Sequence, residues 1–280
     1  MKKIIVPIDF SQHAADALDF AIQFNEKVNG KIVLLHVLEL PAASVNFEGD
    51  WTSSTAEVIY RRELIDGASN KLHEWADRVK DKGQEVAIKM EFGSPYKGIG
   101  KEIAEENADY VVMGSKGASG LMEVFVGSNT ERVIRHSTCP VFTIKGKTDL
   151  SQMQNMVFAT NLMDDQEGVA GKAKEMQELL GLNMHVLKVR THYNFISSED
   201  VKDQMEEFAE RVGLVDYTLN TNEADFPDEG IVEFAEQNNA GLIVMGTHGR
   251  TGMAHLFGGS KAEDVANEST VPLLTFRIEE

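Results

Sequence analysis

The chain has 280 residues, with 45 acidic against 27 basic side chains and a formal net charge of −18. That length is long for one α/β domain and comfortable for two. The charge is uneven, −3 up to Lys147 and −15 from Thr148 onward, and so acidic a second half argues against nucleic acid and anionic membrane as main partners. No apolar run is long enough to span a membrane, and the start, Met1 to Pro7, runs straight into a strand; both predict a cytoplasmic protein without a leader. Cys139 is the only cysteine, so no intrachain disulfide can form.

Lys3 to Ile8 reads as a strand buried on both faces. Ser11 is placed to cap a helix from Ala14 to Val28, with Ala15, Leu18, Ala21 and Ile22 on one face, and Asn29 and Gly30 stop it. Lys31 to Val37 is the second strand. Residues 39 to 54 show no period and read as a loop. A long charged helix follows, from about Thr55 to Lys82, with Val58, Leu64, Ile65, Ala68, Leu72 and Trp75 spaced for burial. Val86 to Met90 is a third strand, Ile99 to Glu106 a helix, and Asp109 to Met113 a fourth strand. After a glycine-rich loop, Asn129 to His136 is helical. Thr138 to Ile144 is a fifth strand, for which Pro140 predicts an edge position.

The second half repeats this order, with strands at Met156 to Thr160, Met184 to Val189, Val215 to Leu219, Leu242 to Met245 and Val271 to Arg277. Helices at about Asp164 to Leu180, Ser198 to Val212 and Ile231 to Gln237 lie between them. Gly146 to Gln154 reads as a linker, giving domains at 1–147 and 154–280. The second repeat is about 20 residues shorter, mostly after its second strand. Five strands alternating with helices, twice over, predict an α/β chain of two tandem doubly wound parallel sheets. Ligands of such sheets bind at the carboxyl ends of the strands.

The loop after the fourth strand carries the chemical signal. Two residues separate Gly114 from Gly117, nine separate Gly117 from Gly127, and Ser128 follows; Gly246, Gly249, Gly259 and Ser260 repeat the spacing. Glycine lets backbone approach a ligand, and the first amides of a helix favour an anion such as phosphate. One such loop is weak evidence; two copies in the same strand-loop-helix setting are much stronger.

This G-x2-G-x9-G-S pattern resembles the nucleotide-binding loop of the universal stress protein family, and the resemblance extends over nearly the whole chain as two tandem Rossmann-like domains. It implies strand order 3-2-1-4-5 in each domain, which sets Asp9 beside Gly114. It also implies an adenine nucleotide such as ATP, bound first of all in domain 1. The expected contacts there are Pro7, Ile8 and Asp9 from the first strand, with Asp9 near ribose and phosphates or holding Mg²⁺, and Val37 for adenine. Met113, Gly114, Lys116, Gly117, Gly127, Ser128 and Asn129 come from the loop and its borders. The matching set in domain 2 is Asn161, Val189, Gly246, Gly249, Gly259, Ser260 and Lys261, with His248 and Arg250 as further positive charge. Asn161 replaces the carboxylate of Asp9 and is a poorer ligand for a hard cation. Family members pair through the last strand, so Val141 to Ile144 and Leu273 to Phe276 are expected along an internal pseudo-twofold contact, with a homodimer as a further option. No base-and-nucleophile constellation stands out, so the reading is a regulatory binding protein. Slow ATP hydrolysis and a ligand-free interaction protein are the rival readings. The histidines form no metal spacing with Cys139 and read as structural.

Overall fold

A computed structural model describes residues 1–39, 55–115, 127–192, 198–247 and 261–278, the side chains of 55–57, 164, 198 and 199 excepted. The first half runs β1 (Lys3–Pro7), α1 (Gln12–Val28), β2 (Lys31–Leu38), α2 (Thr55–Lys80), β3 (Glu85–Phe92), α3 (Pro95–Glu106), β4 (Tyr110–Gly114), α4 (Ser128–His136) and β5 (Val141–Ile144). The second half runs β6 (Asn155–Ala159), α5 (Glu167–Leu180), β7 (Asn183–Arg190), α6 (Ser198–Arg211), β8 (Tyr217–Glu223), α7 (Pro227–Gln237), β9 (Ala240–Thr247), α8 (Lys261–Glu268) and β10 (Leu273–Arg277).

The strands form one ten-stranded sheet in the order β3-β2-β1-β4-β5-β10-β9-β6-β7-β8. Each half has the expected order 3-2-1-4-5, and its own pairs are parallel. The halves join where β5 and β10 run antiparallel, with Leu273 opposite Thr143, Leu274 opposite Phe142 and Thr275 opposite Val141. An offset of 132 residues relates the two loops, and it also makes Phe142 and Leu274 equivalent, so that pair marks the pseudo-twofold axis. The edge position predicted for the fifth strand is therefore wrong. β5 is paired on both sides, and Pro140 causes no loss because the strand starts one residue later. The Pro140 carbonyl accepts from the amide of Val111 at 2.9 Å instead.

The apolar residues separate onto the two faces of the sheet. One face packs Phe20, Phe24, Phe142, Phe158 and Phe208; the other packs Ile99, Ile103, Val133, Ile231 and Val265. Each cluster draws on both halves, so the core continues across the β5–β10 joint. Burying one such side chain contributes roughly 1.5–3 kcal/mol.

Local signals mostly hold. Ser11 Oγ accepts from the Ala14 amide at 3.2 Å, and Asn29 ends α1 in the left-handed conformation. α2 stops at Lys80, and Gly83 takes φ +72° in the turn beyond it. Val58, predicted to be buried, is exposed. The strand predicted at Val215 starts at Tyr217, after Asp216 turns the chain with φ +52°. Asp164 to Gln166 form a 3₁₀ turn rather than the start of α5. α6 has 14 residues against 26 in α2, which accounts for much of the shortening of the second repeat. The linker contains a 3₁₀ turn, Leu150–Gln152, and is packed down. Gln23 of α1 donates to the Thr148 carbonyl at 3.0 Å and accepts from the Leu150 amide at 2.8 Å, and Leu150 is buried.

Acid sensitivity follows from one carboxylate at the end of α3. Glu106 receives Lys3 Nζ at 2.9 Å and Lys89 Nζ at 2.9 Å. Hydrogen bonds from these two ammonium groups lower its pKa from 4.5 to about 2. The folded state thus binds this proton less readily than the unfolded chain. The resulting stability is complete above about pH 4.5 and disappears as the pH falls towards 2. Glu106→Gln is expected to flatten the stability curve across that window, as read by urea unfolding at stepped pH. An unchanged acid limb would show that the ion pairs contribute nothing.

Candidate functional site

β1 and β4 are neighbours, with Ile4 opposite Tyr110 and Ile5 opposite Val111, although more than a hundred residues separate them. β1 connects onward to β2 on its other side, so the strand order reverses between β1 and β4. A cleft opens there, at the carboxyl ends of the strands.

Its polar end is built from two turns. Asp9 lies two residues beyond β1, and its Oδ1 accepts from the Ser11 amide at 3.0 Å. Phe10 between them takes φ +64°, so the chain reverses sharply and leaves Asp9 on the wall of the cleft. Opposite, Gly127 caps α4 with extended backbone and no side-chain bond, which leaves the start of the helix without a competing acceptor from the cap residue. Ser128 is the first helical residue. Gly127, Ser128, Asn129 and Thr130 all line the cleft. The helix start is tied to the end of β4. Thr130 Oγ1 donates to the Gly114 carbonyl at 3.0 Å, and the Gly127 amide donates to the Ser115 carbonyl at 2.7 Å.

Gly114 is a glycine by necessity. A Cβ there would lie 2.8 Å from the carbonyl carbon and oxygen of His13, in the first turn of α1. The other end of the cleft is apolar, lined by Pro7, Ile8, Leu35, Val37, Pro95, Ile99 and Met113. α3 packs directly against this wall, because a Cβ on Gly98 would meet Val37 Cγ2 at 2.8 Å. The arrangement offers a flat apolar slot at one end, and a carboxylate and helix amides at the other.

The cleft thus gathers Pro7, Ile8, Asp9, Val37, Met113, Gly114, Gly127, Ser128 and Asn129, nine of the residues singled out from sequence. Lys116 and Gly117, and in the second half His248, Gly249, Arg250, Gly259 and Ser260, lie outside the described residues. Sequence reasoning missed Ala14, Leu35, Pro95, Ile99 and Thr130. One signal was present: Pro95 and Gly98 recur as Pro227 and Gly230, at the offset of 132 that relates the two glycine loops.

The second half rebuilds part of this scaffold. Asn161 Oδ1 accepts from the Met163 amide at 3.0 Å, and Leu162 takes φ +68°, as Asp9 and Phe10 do in the first half. A Cβ on Gly230 would meet Val189 Cγ1 at 2.6 Å, repeating the contact between Gly98 and Val37. Gly246 ends the central run of β9 as Gly114 ends β4. Two cations differ from the first half. Lys188 Nζ donates to the Asn161 carbonyl at 2.8 Å where the first half has His36, and burial pushes its ammonium below the usual range. Lys261, in the place of Asn129, pairs with Asp228 at 2.8 Å. Among the described residues no group of three His, Cys, Asp or Glu side chains is placed to hold a metal ion by itself.

A model of the universal stress protein family matches residues 1–145 and again 153–277. The chain belongs to the universal stress protein family. It is 30% identical over 164 residues to universal stress protein MJ0577 of Methanocaldococcus jannaschii, a match covering 52% of this chain and 96% of that protein. Universal stress protein Slr1230 of Synechocystis is 26% identical over 299 residues, covering 99% of this chain and all of its own length. The crystal structure of a universal stress protein from Archaeoglobus fulgidus superposes with a TM-score of 0.79 at 23% identity, covering 99% of this chain and 98% of that one. At that identity the likeness shows the shared fold. The two family matches make this chain a tandem member with two such domains. Among the described residues no helix is long and apolar enough to cross a membrane.

Proposed function

We propose that this protein is a regulatory, stress-response nucleotide-binding protein of the cytoplasm, whose cleft in the first domain takes an adenine nucleotide, ATP in the first instance. Its domains are taken as 1–147 and 154–280. The observation that carries the reading is the joining, in one cleft, of an apolar wall that includes Val37, Pro95 and Ile99 to the Asp9 carboxylate and a helix start. Adenine fits the slot against Val37. The phosphates lie against the start of α4, where Gly127 admits close backbone approach and the amides of Ser128 and Asn129 favour negative charge. Asp9 is the carboxylate lining this cleft. One carboxylate suits Mg²⁺ only when phosphate oxygens and water complete its shell, so Asp9 fits a metal that arrives with the nucleotide. Such a metal would neutralise phosphate charge.

Calorimetric titration with ATP and Mg²⁺ tests this. Binding by the wild type is expected, with about a 10- to 100-fold loss in the double variant Asp9→Asn, Ser128→Ala, since the first removes the charge suited to Mg²⁺ and the second a hydroxyl donor to phosphate. No heat and no uptake at millimolar ATP would leave the glycine loops as scaffold and the protein as an interaction module.

A further inference from the structure

The turn that carries Asp9 is held from the far side of the sheet. Side chains alternate along β2, so Leu35 and Val37 line the first cleft while Ile32, Leu34 and His36 point to the opposite face. There His36 Nδ1 lies 2.6 Å from the Ile8 carbonyl. A carbonyl only accepts, so this nitrogen carries the proton. The same ring lies 4.6 Å, centroid to centroid, from Phe10. One imidazole thus grips the residues on both sides of Asp9. Phe10 is backed in turn by Trp75 of α2, edge to face at 5.8 Å, and Lys71 Nζ lies 5.6 Å from its ring centroid.

Phe10 needs this support. Its φ of +64° is a conformation that a bulky side chain rarely adopts, and such backbone persists only where the surroundings hold it. The second repeat meets the same need with different residues. Leu162 takes φ +68°, and Lys188, in the place of His36, donates to the Asn161 carbonyl at 2.8 Å. In both halves a donor from the second strand ties down the turn after the first. From these contacts we infer that His36 is a positioning residue for the nucleotide: by holding Ile8 and Phe10 from behind, it aims the Asp9 carboxylate at the phosphates and their metal. The inference rests on the reading proposed for the first cleft. Ile8 and Asp9 line that cleft and His36 does not, so its effect passes through them. Without the bond from Nδ1 the turn relaxes, and Asp9 faces the cleft only part of the time. Affinity then falls by that fraction.

His36→Asn and His36→Phe separate this role from packing. The asparagine amide puts a donor where Nδ1 stands but gives up the ring, whereas phenylalanine keeps a ring against Phe10 and gives up the donor. The measurement is the dissociation constant of ATP with Mg²⁺, by equilibrium dialysis of the full-length protein, with thermal unfolding to verify that each variant is folded at the assay temperature. His36→Asn is expected to stay within about threefold of wild type, and His36→Phe to weaken binding at least about tenfold, the effect of one lost hydrogen bond. A packing role predicts the opposite order. A phenylalanine variant that binds as well as the asparagine variant, or better, would therefore overturn the inference. So would nitrogen NMR of the wild type showing the neutral His36 ring protonated on Nε2 in place of Nδ1. No ATP bound by the wild type would overturn the reading of the first cleft instead.

Discussion

Arg135→Ala is expected to destabilise the protein by about 2–4 kcal/mol. Arg135 sits in the last turn of α4 and reaches across the domain joint to Glu263 in the first turn of α8. Two bonds hold the carboxylate, from Nε at 2.7 Å and from an Nη at 2.5 Å, and the Glu263 side chain is only 9% exposed. Removing one partner of a buried pair leaves an uncompensated charge, worth roughly 3–5 kcal/mol when burial is complete; partial exposure of Arg135 lowers that figure. Among the described residues the joint shows no second copy of this contact. The offset of 132 makes Glu131 the counterpart of Glu263, and Asn267 the counterpart of Arg135, so the pseudo-symmetric pair lacks its cation. Burial, and then the nearby Glu263, accordingly push the Glu131 carboxyl above the usual range. Thermal unfolding should fall by several degrees, at roughly 2–4 °C per kcal/mol for a chain near this size. Replacing both partners by methionine should recover most of it. A loss under about 0.5 kcal/mol would mean that the pair behaves as an ordinary exposed salt bridge.

Gly114→Ala is expected to damage stability and binding together. The added methyl would lie 2.8 Å from backbone atoms of His13, which cannot rotate away as a side-chain tip could. Overpacking of this kind costs typically about 1–3 kcal/mol. The first turn of α1 must shift, and it begins at Ser11, whose amide holds Asp9. Nucleotide affinity should therefore fall at least about tenfold, since 1.4 kcal/mol of lost binding is already that much. Gly100→Ala is the control. It lies within α3 with open space where its Cβ would be, and alanine there should be neutral or stabilising by up to about 1 kcal/mol. Equal stability of both variants would show that the approach of α1 to β4 is not tight.

These two contacts mark the limit of what the sequence discloses. The alternation of strands and helices and the repeat were legible because each rests on periodicity or on spacing between glycines; the β5–β10 contact was expected only from the resemblance to the family. Asp9, Gly114 and Ser128 were legible because residues at strand ends and helix starts carry the chemistry of this fold. Pro95 and Ile99 were harder, because nothing local distinguishes a helix start that roofs a cleft from one that does not; only comparison of the repeats shows Pro95 and Gly98 returning as Pro227 and Gly230. The edge reading of β5 failed because Pro140 is compatible with an edge and equally with the residue before an interior strand. The Arg135–Glu263 and Lys261–Asp228 pairs were not legible at all. Their partners are 128 and 33 residues apart and meet only through helix packing.

The central claim is that the first cleft holds an adenine nucleotide. The most direct measurement is mass spectrometry of the small molecules released when the purified protein is denatured, after incubation with ATP and removal of free ligand. The double variant Gly127→Ala, Ser128→Ala is treated alongside. The account predicts an adenine nucleotide released from the wild type and little or none from the variant. Equal release from both proteins, or none from the wild type, would contradict it.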